Sequence, residues 1–242
     1  IPEEPGRSWR IPYEVALGTF HGDWYAAADL YKQWAEQQPW CARRLTRRGD
    51  IPGWYLRGLP ILMFVPRGRE SGPLPPPGWR AQAPALFREA AAALRSPVIV
   101  VEYAWEKWGS WINPDVFPPY GGDAAFARQV RDLKQDGNLF GCYLSGTRWG
   151  IKKPGTDYDG RAAFERLAVS AATTDEAQQP IIENRPWADN VRLCIGSPLG
   201  RRLLIDEVRG LVERGVDWVQ FDQNLGGEAY LCYNRQHPHP GG

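Results

Sequence analysis

Four short apolar runs, each separated from the next by a stretch long enough for a helix, limit what this chain can fold into. They are Ile61-Leu62-Met63-Phe64-Val65, Val98-Ile99-Val100-Val101-Glu102-Tyr103, Leu139-Phe140-Gly141-Cys142-Tyr143-Leu144 and Val216-Asp217-Trp218-Val219-Gln220-Phe221-Asp222-Gln223. Runs this short and this apolar read as strands buried on both faces, as in a parallel sheet. Between them one helix is predicted from about Pro84 to Leu94, ending before Ser96-Pro97. A second is capped by Asp123, lines up Phe126, Val130 and Leu133, and stops at Gly137. A third starts at Ser197-Pro198, turns Leu199, Leu203, Val208, Leu211 and Val212 inward, and closes at Gly215.

Strand, helix, strand, helix, strand, helix, strand is the order of right-handed crossovers between parallel neighbours. It is half of an eight-stranded barrel, which typically takes about 250 residues when complete. The expected fold is therefore α/β, the N-terminal half of a TIM-type (β/α)8 barrel with four parallel strands and crossover helices. A doubly wound sheet competes, but no glycine-rich phosphate fingerprint follows the first strand.

The first part of the chain, 1–58, reads as a connector segment. Tyr13 to Phe20 is predicted as a short strand, and Gly22-Asp23 as the opening of a helix to about Gln38, stopped by Pro39. In that helix Trp24, Ala28, Tyr31 and Ala35 share a face, which predicts docking on a larger body. The basic stretch after it holds Arg43, Arg44, Arg47 and Arg48, which suits a phosphate or acidic partner but is more simply a solvated loop. A loop is expected from Pro66 to Pro77. Residues 59–242 form the partial barrel, with a long insertion at 145–197.

The 29 basic residues nearly balance the 28 acidic ones, so no net field argues for nucleic acid or an anionic membrane. Nor does any apolar run approach the roughly 18 residues of a membrane span. The start Ile1-Pro2-Glu3-Glu4-Pro5 is not a signal peptide and not a Met, so the chain reads as processed or cut from something longer. The compartment stays open, with an extracytoplasmic one slightly favoured. Twelve tryptophans and ten tyrosines, many near predicted strand ends, suit flat sugar faces as well as an enlarged core.

Barrel strands share one face at their C-terminal ends, where distant residues converge. Glu102, Tyr103 and Trp105 end or follow the second strand, Tyr143, Arg148 and Trp149 the third, and Asp222 and Gln223 the fourth. A cleft with carboxylates and aromatic walls suits glycoside cleavage, in which a nucleophilic carboxylate and an acid/base about 5 Å away flank an oxocarbenium-like transition state. Asp222 fits the first role, although an Asp at a strand end also caps turns. Glu102 suits either the second role or holding sugar hydroxyls, and Glu183 beside Asn184 is a further candidate from the insertion.

The cysteines at 41, 142, 194 and 232 form no CxxC pair, and Cys142 reads as a small core residue. Cys232, His237, His239 and Asp222 make a zinc-type set by residue class, but one His-x-His in a Pro/Gly-rich tail is a weak signal. No metal and no cofactor are expected.

Gly22-Asp23-Trp24-Tyr25 with Tyr31 and Trp34, Glu102-Tyr103-Ala104-Trp105, Gly215-Val216-Asp217 with Phe221-Asp222-Gln223, and Cys232 through His237-Pro238-His239-Pro240-Gly241-Gly242 together resemble a bacterial family of glycoside-hydrolase-like barrels of unknown function. That family is distantly similar to α-galactosidase and endo-α-N-acetylgalactosaminidase barrels. The resemblance covers the chain from about residue 12 onward. It implies Asp222 as nucleophile, an acid/base beyond Gly242, a carbohydrate substrate, and a remaining half-barrel in the same longer chain or a partner. Gln220 stands where α-galactosidases carry Lys two residues before the nucleophile, so substrate identity does not transfer. Gln236-His237-Pro238-His239 also departs from the family's His-Gly-His. The competing readings are a non-catalytic carbohydrate-binding or structural segment and a metal-dependent barrel hydrolase.

Overall fold

The structure, a computed structural model, describes residues 13–66, 78–109, 114–186, 188–222 and 230–241. Most of the loop expected from Pro66 to Pro77 lies outside these residues. The chain divides into two compact units, Ile1–Leu59 and Pro60–Gly242.

In the first unit, helix α1 spans Trp24–Ala35, and the Asp23 carboxylate caps it by accepting from the backbone N–H groups of Tyr25 and Ala26. Such a cap satisfies donors that the first turn leaves unpaired. Pro39 opens a short 3-10 turn, another covers Leu45–Arg47, and α2 is the single turn Gly53–Leu56. Tyr13 to Phe20 is not a strand: it is exposed and pairs with no other strand among the described residues. A strand needs a ladder partner, and apolar alternation does not supply one. In the basic loop, Arg48 forks onto the neighbouring carboxylate of Asp50.

The second unit runs β1 (Ile61–Phe64), α3 (Trp79–Leu94), β2 (Ile99–Glu102), α4 (Asp123–Gln135), β3 (Leu139–Ser145), β4 (Arg148–Lys152), α5 (Arg161–Leu167), β5 (Ile182–Arg185), β6 (Ala188–Arg192), α6 (Pro198–Glu213) and β7 (Trp218–Asp222). Strands β1, β2, β3 and β7 form one parallel sheet in that order. With helices between successive strands it is a half (β/α) barrel, as expected. Helix α3 starts at Trp79, ahead of the expected Pro84, which lies buried inside it. Gly122 rather than Asp123 caps α4; Asp123 stands in the first turn, where a carboxylate favours the positive helix end.

Alternate strand residues face the helices. Leu62, Phe64, Val100, Phe140, Cys142 and Leu144 pack with Phe87 of α3, Phe126, Val130 and Leu133 of α4, and Leu211 of α6. Val212, expected inward beside Leu211, is 59% exposed because consecutive helix positions point about 100° apart. The other end of α6 serves a second core, where Leu199 and Leu203 pack near Trp149, Ile151, Phe164, Val191 and Leu193. That core belongs to the stretch 145–197, which folds as an antiparallel sheet in the order β4-β6-β5 with α5 against it.

Two polar side chains set where the strands begin. Asn138 accepts from Val98 N at 3.0 Å, and Asp217 accepts from Phe140 N at 3.1 Å while pairing with Lys134 at 2.7 Å. On the opposite face of the sheet, a Cβ on Gly141 would meet the Trp218 carbonyl at 2.9 Å and its ring at 3.0 Å. A central-strand glycine here is what lets the indole lie across its neighbour.

Buried Glu207 of α6 has neither carboxylate oxygen hydrogen-bonded among the described residues. Burial, and secondarily the Glu106 charge, push its carboxyl well above the usual range. The folded chain therefore holds a proton that the unfolded chain releases, so this group's contribution is intact below the ordinary Glu range and falls as pH rises toward the raised value. Glu207→Gln should remove that fall. Its melting midpoint relative to the parent should climb between about pH 5 and pH 8, each kcal/mol gained appearing as about 2–4 °C in a chain of this size. Parallel melting curves for parent and variant across that range would reject the assignment.

Candidate active site

The strand face opposite the helices carries Val101, Gly141, Tyr143, Ser145, Trp218, Gln220 and Asp222, because a period of two separates them from the core set. Asp222 is the last residue of β7, in register with Ser145. Tyr143, two pairs lower beside Gln220, donates its phenolic hydrogen to Asp222 Oδ2 at 2.5 Å. That length is typical of a charge-assisted O–H···O bond. Burial first, then the Asp222 hydrogen bond and charge, hold the Tyr143 phenol far above its ordinary range. The phenol therefore serves as the donor of this bond.

Tyr103 continues the same face at the end of β2. Its ring stacks on Tyr143 with centroids 4.1 Å apart and planes 18° from parallel. Its hydroxyl reaches Gln220 Oε1 at 3.4 Å, a long contact. Strands β2 and β7 flank β3, so they would stand about 9–10 Å apart in a flat sheet; two long side chains close the gap. Tyr103, Tyr143, Gln220 and Asp222 thus form one cluster at the C-terminal mouth of the sheet. Gln220 was legible as a neighbour of Asp222 from its spacing of two residues, but residue type alone did not mark it as a site residue.

Other expected site residues are placed elsewhere. Glu102 points to the helix layer and is fully enclosed, its carboxylate bound by Arg80 at 2.8 and 3.0 Å and by Gln129 Nε2 at 2.9 Å. Burial raises its carboxyl against the pull of Arg80 and Gln129. The reason is geometric: Glu102 and Tyr103 are consecutive in an extended run, and only one of them can face the cleft. Trp105 is also fully buried, its indole N–H donating to Tyr143 O at 2.6 Å and its ring against Phe117 and Phe126. It fixes the backbone that carries Tyr143 rather than offering a face to ligand. Trp149 is 3% exposed in the second core, against Phe164. Gln223 lies outside the described residues.

Glu183 of β5 is held in a cluster of cations, with Arg192 Nε at 2.6 Å, Arg148 Nε at 2.7 Å and Arg185 at 3.8 Å. Burial works to raise its carboxyl, but hydrogen bonds from Arg148, Tyr230 and Arg192 prevail and hold it below the usual range. A carboxylate held below the usual range by three arginines links the strands of the insertion. It is unsuited to delivering a proton.

The zinc-type set expected with Asp222 assembles differently. Cys232, His237 and His239 gather with Cys194, their ligand atoms all within 4.8 Å of one another, and Asp222 is not among them. Cys194 follows β6 and was not grouped with the tail in the sequence because 37 residues separate it from Cys232.

Solved structures of glycoside hydrolases share this parallel (β/α) half-barrel fold. The α-N-acetylgalactosaminidase NagBb of Bifidobacterium bifidum, solved with Gal-NHAc-DNJ, aligns over 90% of this chain and 35% of its own with a TM-score of 0.68 at 14% identity. The maltogenic α-amylase AmyB of Thermotoga neapolitana aligns over 70% of this chain and 40% of its own with a TM-score of 0.50 at 14% identity.

The chain belongs to the family described as "Domain of unknown function (DUF6259)", which matches residues 9–242. A curated Monosiga brevicollis protein named "Putative glycoside hydrolase 22789" is 26% identical over 165 residues, which is 56% of this chain and 12% of that protein. The chain thus spans about a third of NagBb and about an eighth of the Monosiga protein. No described helix is long and apolar enough to cross a membrane.

Proposed function

We propose that this chain supplies the nucleophile half of a retaining glycoside hydrolase that acts on an α-linked glycan, with Asp222 as the nucleophile. The observation that carries the reading is the Asp222 carboxylate at the C-terminal end of the fourth parallel strand, bound by the Tyr143 hydroxyl at 2.5 Å. A nucleophilic carboxylate must be ionised and aimed at the anomeric carbon. A permanent phenol donor on one oxygen fixes the orientation of the group at the strand end. Tyr103 and Gln220 are the neighbouring polar groups for sugar hydroxyls, Gln223 is a further candidate from its place in the sequence, and the acid/base comes from the remaining half of the barrel.

A carbohydrate-binding role without catalysis is the second reading. It is favoured by one fact: Asp222 is the sole acidic side chain on that face among the described residues of the four parallel strands. A 5-fluoro α-glycosyl fluoride separates the two when incubated with the full-length protein. Accumulation of a glycosyl ester on the peptide containing Asp222, seen by mass spectrometry, is expected. Labelling of a different carboxylate, or hydrolysis with inverted configuration, would rule out the nucleophile assignment.

A further inference from the structure

The geometry assigns a structural zinc site to Cys194, Cys232, His237 and His239, tying the C-terminal segment to the antiparallel insertion. Cys194 Sγ lies 3.2 Å from His239 Nε2, and Cys232 Sγ lies 3.4 Å from His237 Nδ1. Tetrahedral zinc, with Zn–S near 2.3 Å and Zn–N near 2.1 Å, places sulfur and nitrogen ligands about 3.6 Å apart. The cluster already has that size.

The hydrogens on the rings point the same way. His237 Nε2 contacts the Ser170 carbonyl at 2.9 Å, and His239 Nδ1 contacts the Pro240 carbonyl at 2.7 Å. A carbonyl only accepts, so those nitrogens are the donors, and His237 Nδ1 and His239 Nε2 are the ring atoms that face the two sulfurs. Metal-binding imidazoles are oriented by this kind of outer hydrogen bond.

Charge and donor type select the ion. Two thiolates neutralise a dication, which suits a site whose cysteines and His237 are buried. Sulfur and imidazole nitrogen, without carboxylate or carbonyl oxygen, favour zinc over calcium or magnesium. Four protein ligands complete a tetrahedron and leave no position for water or substrate, so the role is structural. The same segment is already laid on the insertion by Tyr233 N to Thr174 O at 2.9 Å and Gln178 Nε2 to Tyr233 O at 2.7 Å. Gly196 leaves the room required, since a Cβ there would stand 2.4 Å from His239 Cδ2.

Metal analysis of the purified chain, with zinc supplied during expression, should give about one equivalent. Cys41→Ser should keep it, because Cys41 is outside the cluster. Cys194→Ser should lose it, with affinity down by more than about 100-fold, and Gly196→Ala should weaken it by displacing the His239 ring. Cobalt substitution of the unmodified chain tests the ligands even if a variant fails to fold. It should give the intense visible bands of a tetrahedral ion and a thiolate charge-transfer band. No stoichiometric metal, a cobalt spectrum without thiolate character, zinc retained by Cys194→Ser, or a Cys194–Cys232 disulfide would each overturn the assignment.

Discussion

Replacing Asp222 by asparagine in the full-length protein is expected to lower glycoside turnover by at least about 10³-fold, the scale on which enzymes lose activity with their nucleophile. Ground-state sugar binding should change little, because asparagine still accepts the Tyr143 hydrogen bond through its amide oxygen. The measurement is kcat and KM on an activated aryl α-glycoside, with KM held near the parent value while kcat collapses. Undiminished kcat would remove Asp222 from the chemistry. A rise in KM alone would recast it as a binding group.

The second large effect lies behind the sheet. Arg80 is 4% exposed, and besides its two contacts with Glu102 it donates to Tyr120 O at 2.9 Å and to Gln129, with its guanidinium over the Trp79 and Phe126 rings. Arg80→Met leaves the Glu102 carboxylate enclosed without its cation and should destabilise the chain by about 3–5 kcal/mol. Desolvation already opposes the Glu102 charge in the intact pair. Replacing both partners, Arg80→Met with Glu102→Leu, should therefore recover most of the loss. Denaturant unfolding of the parent, both single variants and the double variant closes the cycle. A double variant as unstable as the sum of the singles would mean no coupling between the two side chains and would reject the buried-pair account.

The four parallel strands were legible because burial on both faces leaves an unbroken apolar signature, and their order followed from the helices between them. Asp222 was legible as a candidate because a carboxylate ends such a run, although a strand-end Asp also caps turns. Glu102 and Tyr103 were harder: listing both as cleft residues overlooked the alternation that sends consecutive side chains to opposite faces. Trp105 and Trp149 mislead by type, because indoles suit a core as well as a sugar. The strands of the insertion were not legible at all. Arg148, Glu183 and Arg192 put buried charges into short strands, and only the fold shows that these charges neutralise one another. Cys194 joined His237 and His239 through tertiary structure, which no local spacing encodes.

The insertion between β3 and β7 also bears on how the chain folds. The stretch from Ser145 to Trp218 is about twice as long as that from Glu102 to Leu139, yet each joins neighbouring strands of one sheet. Doubling a flexible loop adds only about 0.6 kcal/mol of closure entropy, and a loop that contains its own sheet and core is effectively shorter than its residue count. The detour is therefore thermodynamically minor. Kinetically it makes the β3–β7 contact the longest-range pairing of the sheet, and such contacts form late. The carboxylate at the end of β7 meets Tyr143 only when that last pairing closes.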